Sequence, residues 1–186
     1  MDEILGIARK TEEFMLKVGH ISDIQIRNFH RHEEFLATFE HLYESLKEQQ
    51  VDVIVLPGDI AHTKTKISPE FVAICSDLFS KLADIAPTVI IPGNHDGNLN
   101  NLARLDALSP IVHALNHPNI HYFKHSGHFG VPGVDAIFSV FSCFDSESDW
   151  PQARAKTPLP VVGLYHGFVY GAELQNGQII DSGHKA

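Results

Sequence analysis

Three stretches in the first half of the chain are mostly apolar and stop at polar side chains. They cover residues 14–24, 51–59 and 88–96, and each has an acid at its last or next-to-last position, with glycine and proline near the end of the second and third. Short apolar runs with such boundaries are typical of strands that are buried on both faces, as in a parallel sheet. The pattern therefore predicts three buried strands.

Helical periodicity occurs in the segments between these strands. Within residues 32–50, apolar side chains recur every three or four positions with charges between them, which predicts an amphipathic helix. A second helix is predicted to follow Ser68, a residue type that caps helix N-termini, with Pro69 in the first turn. A third helix is predicted over residues 99–115. The first half thus alternates strand and helix.

The second half of the chain is predicted to be rich in strands. Residues 119–125, 134–142 and 160–167 have strand-like apolar patterns, and the last of them delivers His166 after an apolar run. Residues 145–160, which contain the only tryptophan, are predicted to form a surface loop because serine, aspartate and proline are frequent there. The order of elements favours an α/β protein.

Polar residues recur at the ends of the three predicted strands. Asp23, Asp59 and Asn94 are separated by 36 and 35 residues, which fits the length of one strand-helix-strand unit. Right-handed crossovers place the carboxyl ends of such strands on one edge of the sheet, where open α/β sheets bind their ligands. We therefore expect these residues to be neighbours in space.

Composition narrows the classes of protein that fit. The chain has 186 residues, of which 44% are apolar, so one compact domain over residues 1–186 is expected. The net charge of −9 argues against a protein that coats nucleic acid by charge alone. A charged N-terminus and the lack of a long apolar run predict a cytoplasmic protein without a membrane span. Cys75 and Cys143 are predicted to be reduced core thiols.

The polar residues at the strand ends are those that bind divalent metals. Carboxylates, an amide oxygen and imidazole form a mixed oxygen and nitrogen set that suits manganese, iron or zinc, and the chain has 13 histidines. Asp59, in the middle of the series, is predicted to bridge two ions. Two ions about 3.5–4 Å apart can clamp both oxygens of a phosphoryl displacement. The chemistry indicated is metal-dependent phosphoester hydrolysis.

Four short motifs occur in order: "SDIQ" (22–25), "GDIAH" (58–62), "GNHD" (93–96) and "YHG" (165–167). The chain therefore resembles the calcineurin-like metallophosphoesterases, whose motifs run D-x-H, G-D, G-N-H-D and then a later histidine. The resemblance implies a layered α/β fold with central mixed β sheets flanked by helices. It also implies two divalent metal ions, manganese foremost, with iron or zinc as alternatives.

Within that superfamily the chain is similar to the SbcD-type exonuclease subunits of DNA repair and recombination. This similarity rests on His62, three residues after Asp59, and on the segment after GNHD, which resembles members encoded by bacteriophages. It implies DNA as the substrate, an SMC-type ATPase subunit as a partner, a homodimer as a further option, and a bacterial or phage-infected cytoplasm as the location.

The resemblance assigns metal ligands residue by residue. Asp23 and Asp59 would hold the first ion, and Asp59, Asn94 and His166 the second. Gln25 stands where the family has a second histidine, and an amide oxygen is the weaker ligand, so the first site is predicted to be weakened. The family's closing G-H-x-H motif is also missing, and the chain is expected to lack the C-terminal part of the fold.

The resemblance also assigns residues to the substrate. His95 would stabilise charge on the phosphate or protonate the leaving alkoxide, with Asp96 fixing its tautomer. His62 would contact a phosphate of the nucleic-acid strand. Arg27 and Arg31 could touch DNA phosphates, although a solvated loop and helix start explains them equally well.

Several alternatives remain at this stage. The chain could be a phosphatase or phosphodiesterase for small substrates, or a non-catalytic module that binds a partner because Gln25 replaces a histidine ligand and the final G-H-x-H motif is missing. His20 could buttress the site or be a plain core histidine. Residues 1–13 could form a short helix against the domain or a partner, and His184 is interpreted as an ordinary terminal residue.

Overall fold

The first sheet contains four parallel strands in the order in which they occur along the chain. The computed structural model describes residues 15–27, 30–63, 67–152, 155–174 and 176–181. Strand registers pair Gly19 with Ile54, and Ile54 with Thr88. The strands of this sheet are β1 (Val18–His20), β2 (Val53–Pro57), β3 (Thr88–Ile91) and β4 (Ile120–Tyr122).

Three helices cover one face of this sheet. A sheet whose strands follow one another in order, with crossovers of one hand, carries all its helices on the same side. In α2 the Ser68 hydroxyl accepts a hydrogen bond from the Phe71 amide at 3.2 Å, and Pro69 opens the first turn, as predicted. The helices are α1 (His32–Gln49), α2 (Pro69–Ile85) and α3 (Ser109–Leu115).

A second sheet covers the other face. Its strands are β5 (Gly127–Val131), β6 (Val134–Phe141) and β7 (Val161–Tyr165), with β5 antiparallel and β7 parallel to β6. Phe138 and Val140 of this sheet share one buried core with Val55 and Val89 of the first. Because helices and a second sheet enclose the first sheet, its strands are apolar on both faces. The α/β fold with mixed sheets flanked by helices is confirmed.

The third helix, with 7 residues, is less than half as long as the predicted segment 99–115. Residues 99–108 form turns, and α3 begins at Ser109. The prediction was wrong there because polar side chains take over the backbone hydrogen bonds: Asn98 Oδ1 accepts from the Asn100 amide at 3.0 Å. Asp106 Oδ1 accepts from the amides of Leu108 and Ser109 at 3.0 and 2.7 Å. Short polar side chains of this kind favour turns and helix starts over helix interiors.

The remaining structural predictions concern strand β5, the loop 145–160, the two ends of the chain and membrane spans. Strand β5 was not predicted, because two of its five residues are glycine, which weakens a strand pattern. The predicted loop 145–160 contains one short 3₁₀ helix, Glu147–Asp149. Residues 1–13 and His184 lie outside the described residues. Among the described helices, none has the length and apolar character that crossing a bilayer requires.

Candidate active site

The ends of four strands meet at one cleft of about 730 Å³. Asp23 follows β1, Asp59 follows β2, Asn94 follows β3 and His166 follows β7, so the predicted convergence of strand ends is observed. Beyond β1 and β2, the two loops that follow these strands run side by side. The backbone N–H of Gln25 donates to the backbone carbonyl of Asp59 at 2.9 Å. The lining consists of His20, Ser22, Asp23, Gln25, Pro57, Asp59, Asn94, His95, Leu99, Cys143, Tyr165, His166, Gly167 and Phe168.

Asp59 lies at the centre of the cleft in a strained conformation. Its φ of 55° and that of Asp23, also 55°, place both residues in the left-handed region, which few residues other than glycine adopt. Such strain is concentrated at functional sites, where the surrounding structure holds it in place. The Asp59 Oδ1 atom accepts a hydrogen bond from the His95 amide at 2.8 Å. Burial raises the pKa of Asp59, but hydrogen bonds from His166 and the His95 amide outweigh burial and lower it.

The orientation of His166 is set by the backbone. Its Nδ1–H donates to the carbonyl oxygen of Pro57 at 2.7 Å, because a carbonyl can only accept. Nε2 therefore faces the cleft, 3.2 Å from Oδ1 of Asp59 and 3.2 Å from Oδ1 of Asn94. The hydrogen bond with Asp59 raises the pKa of His166. His166 Nε2 thus lies next to two oxygen acceptors, Oδ1 of Asp59 and Oδ1 of Asn94. These three atoms can approach one another only if a proton or a metal ion lies between them.

The side chains present fit a divalent ion. One ligand atom each from Asp23, Asp59 and His166, together called the ligand cluster, lie within 4.8 Å of one another. Metal–oxygen and metal–nitrogen bonds of about 2.0–2.2 Å allow one ion to bridge a span of roughly this size. The Asn94 oxygen adjoins the cluster through His166. The structure brings Asp23 and His166 close to the same Asp59 carboxylate, and their assignment to two different ions that Asp59 bridges stays a prediction.

Gln25 lines the cleft but is engaged by another side chain. Its Oε1 atom lies 3.3 Å from Nδ1 of His62, which donates to it. An amide oxygen that already accepts a hydrogen bond has less electron density for a metal ion. The weakened first metal site therefore remains our prediction, now with a named competitor for the oxygen.

His95 and Asp96 do not form the predicted pair. The Nδ1–H of His95 donates to the carbonyl oxygen of His62 at 2.9 Å, so His62, and not Asp96, fixes the tautomer. Asp96 is fully buried, and its two oxygens accept from the amides of Ala61 and Gly93 at 2.7 and 2.8 Å. Burial raises the pKa of Asp96 to about 7, because it outweighs the lowering effect of the hydrogen bonds from the two amides. Asp96 thus joins the β2 and β3 loops beneath the site.

Replacing Asp96 by asparagine is expected to lower the free energy of unfolding by about 1–3 kcal/mol, since the new NH₂ group would face a backbone N–H and leave one amide unpaired. Urea denaturation of both proteins without added metal measures this. Asp52→Asn is the matched control, because Asp52 accepts from the Lys17 amide in an exposed position. Equal stability of the Asp96→Asn protein and the wild type would show that Asp96 does not join the loops.

The other predicted residues fall around the cleft or outside its lining. Arg27 and Arg31 are exposed and, of the described residues, do not belong to the lining; Arg31 lies 3.8 Å from Glu34. The His62 ring is 6.3 Å from that of His95. His20 is exposed and lines the cleft, so the interpretation as a core histidine was wrong.

The sequence analysis did not assign seven of the lining residues to the site: Ser22, Pro57, Leu99, Cys143, Tyr165, Gly167 and Phe168. Leu99, Tyr165 and Phe168 line the cleft beside the ligand cluster, and Cys143, a free thiol predicted for the core, also lies there. Burial raises the pKa of the Cys143 thiol to about 12. Tyr165 belongs to the YHG motif, Phe168 directly follows it, and Leu99 lies three residues after GNHD, so proximity to a motif was the available signal.

Close approach of the loops leaves no room for a Cβ atom at Gly58. An added Cβ would lie 2.6 Å from Nδ1 of His166 and 2.8 Å from Cα of Gly93, and the φ of Gly58 is +94°. Gly58→Ala is expected to destabilise the protein by about 2–5 kcal/mol, the sum of left-handed strain and overpacking.

Gly133→Ala is the matched control for this substitution. Gly133 also has a positive φ, +80°, but a Cβ there would meet nothing within 4 Å, so only strain of about 1–2 kcal/mol is expected. Thermal and urea denaturation compare the two variants. Equal losses in both would show that the loops can move apart at Gly58.

Comparison with known proteins extends the geometric result. The family model for calcineurin-like phosphoesterases matches residues 16–176, which is most of the chain. The chain belongs to the calcineurin-like phosphoesterase family. Members of this family use divalent metals, in agreement with the ligand cluster found here.

This phosphoesterase is similar in sequence to two curated proteins. A protein of Acanthamoeba polyphaga mimivirus, "Uncharacterized protein R555", is 39% identical over 173 residues, covering 86% of this chain and 13% of that protein. A Fibrobacter succinogenes protein described as a "probable cyclic nucleotide phosphodiesterase" is 34% identical over 106 residues, covering 55% of this chain and 39% of that protein. The chain thus spans less than half the length of either relative.

One similar solved structure is that of the Pseudomonas putida nuclease MPE. It has a TM-score of 0.43 and 18% sequence identity, and the alignment covers 86% of this phosphoesterase and 65% of that chain. A similarity at this level informs neither the substrate nor the metal content of the present protein.

Proposed function

We propose that the protein is a metal-dependent phosphodiesterase that cleaves DNA. The observation that carries this proposal is the convergence of the ligand cluster with His95 in one cleft. Membership of the calcineurin-like phosphoesterase family supports hydrolysis of a phosphoester bond. Divalent ions held by the cluster, manganese foremost, would polarise the phosphoryl oxygens and supply hydroxide near neutral pH.

The chain's own side chains have distinct tasks in this proposal. Asp59 and His166 would hold the cation, and the hydrogen bond from His166 Nδ1–H to the Pro57 carbonyl keeps Nε2 facing Asp59. The His95 Nδ1–H is committed to the His62 carbonyl, which leaves Nε2 as the atom that can exchange a proton with the substrate. This Nε2 atom lies 4.0 Å from Oδ2 of Asp59, so it reaches the same phosphate as the metal ligands. His95 would thus protonate the leaving alkoxide.

DNA is proposed as the substrate, with an SbcD-type role in repair or recombination. The support is the histidine of the GDIAH motif, His62, whose ring lies 6.3 Å from that of His95 and could contact a neighbouring phosphate. An SMC-type ATPase subunit and a second copy of the chain are the proposed partners. A bacterial or phage origin belongs to the same proposal.

A nucleotide-sized phosphodiester is the second candidate substrate. The observation that favours it is the charge of the protein: the net charge is −9, and Arg27 and Arg31 are not among the described lining residues. A polyanion gains most of its binding free energy from phosphate contacts with lysine and arginine. A small diester needs only the metal ions. The name of the Fibrobacter relative, which refers to cyclic nucleotides, is in line with this option.

The test is hydrolysis in the presence of manganese, measured on single-stranded DNA, duplex DNA and bis(4-nitrophenyl) phosphate. Manganese-dependent cleavage of DNA that is lost on chelation supports the nuclease. Cleavage of the small diester alone favours the second candidate. No cleavage of any substrate, with manganese bound, would contradict both and favour a partner-binding module.

A further inference from the structure

An exposed aromatic side chain stands beside the polar centre of the cleft. Phe168 is 68% exposed, although it lines the same cleft as Asp59 and His166. Leu99, from the loop after β3, is 36% exposed and lines the cleft as well. We call Phe168 and Leu99 the apolar lip. Exposed apolar side chains at the rim of a polar site are typical of ligand contacts.

The backbone that carries Phe168 is held by an aromatic stack. The Tyr165 hydroxyl donates to the Phe168 carbonyl at 3.2 Å, which closes the turn between them. Trp150 lies edge-on to Tyr165 and to Phe141, with ring centroids 5.6 Å apart in both pairs. A Cβ atom at Gly167 would collide with the Tyr165 hydroxyl. The position of Phe168 is therefore fixed in advance, which lowers the entropy cost of using it for binding.

The lining offers little else for the part of a substrate beyond the reacting phosphate. Of the described residues that line the cleft, none is lysine or arginine. Neighbouring phosphates of a strand would thus find no cationic side chain in the lining. An aromatic ring, in contrast, can stack on the face of any nucleobase, and such stacking contributes about 1–3 kcal/mol per base.

We propose that the apolar lip is a nucleobase-stacking subsite, with Phe168 as the platform and Tyr165 as its positioning residue. The substrate class is then a nucleotidic phosphodiester whose base is unstacked, as in a single strand, a strand end or a small nucleotide. This inference rests on the proposed function, because it places the base next to the phosphate that the ligand cluster holds.

The test compares two ligands that differ only in the base. Binding of dAMP and of deoxyribose 5-phosphate is measured by calorimetry with manganese present. We expect the wild-type protein to bind dAMP roughly 5- to 150-fold more tightly, which is the stacking contribution expressed as a ratio of dissociation constants. Phe168→Ala should reduce this ratio to near 1 and leave deoxyribose 5-phosphate binding unchanged. Phe168→Trp should retain or increase the ratio.

Two further variants separate stacking from other effects. Ile179→Ala removes a side chain that is 63% exposed near the same segment but does not belong to the described lining, so the ratio should stay at its wild-type value. Tyr165→Phe removes the hydroxyl that fixes the Phe168 backbone, and the ratio should fall while manganese affinity is retained.

The outcomes are distinguishable from those of the proposed function. Equal binding of both ligands by the wild type would overturn the stacking subsite alone, since the phosphate site would still work. A wild-type ratio that persists in Phe168→Ala would also overturn it. Failure of both ligands to bind in the presence of manganese would overturn the phosphate site and the subsite together.

Discussion

His95→Ala is expected to lower kcat for phosphodiester cleavage by about 10²–10⁴-fold, the usual effect of losing a general acid. Manganese affinity should stay the same, because His95 is assigned to the substrate and not to an ion, and its Nδ1 atom hydrogen-bonds to the His62 carbonyl. Steady-state kinetics gives the loss in kcat, and calorimetric titration with manganese gives the affinity.

The matched control for His95 is His128→Ala. His128 lies on β5, where its Nδ1 atom is 2.8 Å from the Ser139 hydroxyl, away from the cleft lining. Its removal should leave kcat within about twofold of the wild type. A loss in kcat that occurs only in His95→Ala would then come from the missing general acid and not from a general effect of removing a histidine. Retention of more than about a tenth of wild-type kcat in His95→Ala would remove His95 from the mechanism.

Asp59→Asn is expected to weaken manganese binding by more than about 100-fold, beyond the 10–100-fold effect typical of residues that only support ligands. Asp59 touches both His95 and His166 and belongs to the ligand cluster. Asparagine tolerates the left-handed conformation at φ 55° and keeps one oxygen for the His95 amide, so the fold should persist. Calorimetry with manganese measures the affinity, and circular dichroism measures the fold.

The supporting residue Asp96 provides the comparison for Asp59. Asp96→Asn removes a carboxylate that holds the same loops but makes its bonds to Ala61 and Gly93. Its effect on manganese affinity should stay within the 10–100-fold range. An Asp59→Asn protein that binds manganese as well as the Asp96→Asn protein would contradict the central place of Asp59 in the site.

The convergence of the candidate metal ligands was predictable because strand ends in a parallel sheet are constrained by topology. Asp23, Asp59 and Asn94 follow three strands that pair in chain order, and a fixed crossover hand leaves one edge for all three. His166 could be placed only by its motif, since its strand belongs to the second sheet. How that sheet packs is decided by side-chain contacts that no local pattern encodes.

The partners of individual side chains were not predictable in the same way. Asp96 is next to His95 in sequence, yet its carboxylate turns inward to two amides while the imidazole turns to His62. A tight loop sends adjacent side chains to opposite sides, so adjacency in sequence says little about contact. The same limit applies to Phe168, whose role at the rim depends on a turn that Tyr165 closes.

The most direct test of the account is the number of manganese ions that the chain binds tightly. Calorimetric titration gives the stoichiometry, and anomalous diffraction from crystals grown with manganese gives the positions. We predict one tight ion at Asp59, Asn94 and His166, and a second ion, held by Asp23, Asp59 and position 25, that binds tightly only in Gln25→His, since imidazole is a better ligand than the amide oxygen that accepts a hydrogen bond from His62. Two fully occupied sites in the unmodified chain, or no ion within reach of Asp59, would contradict the account.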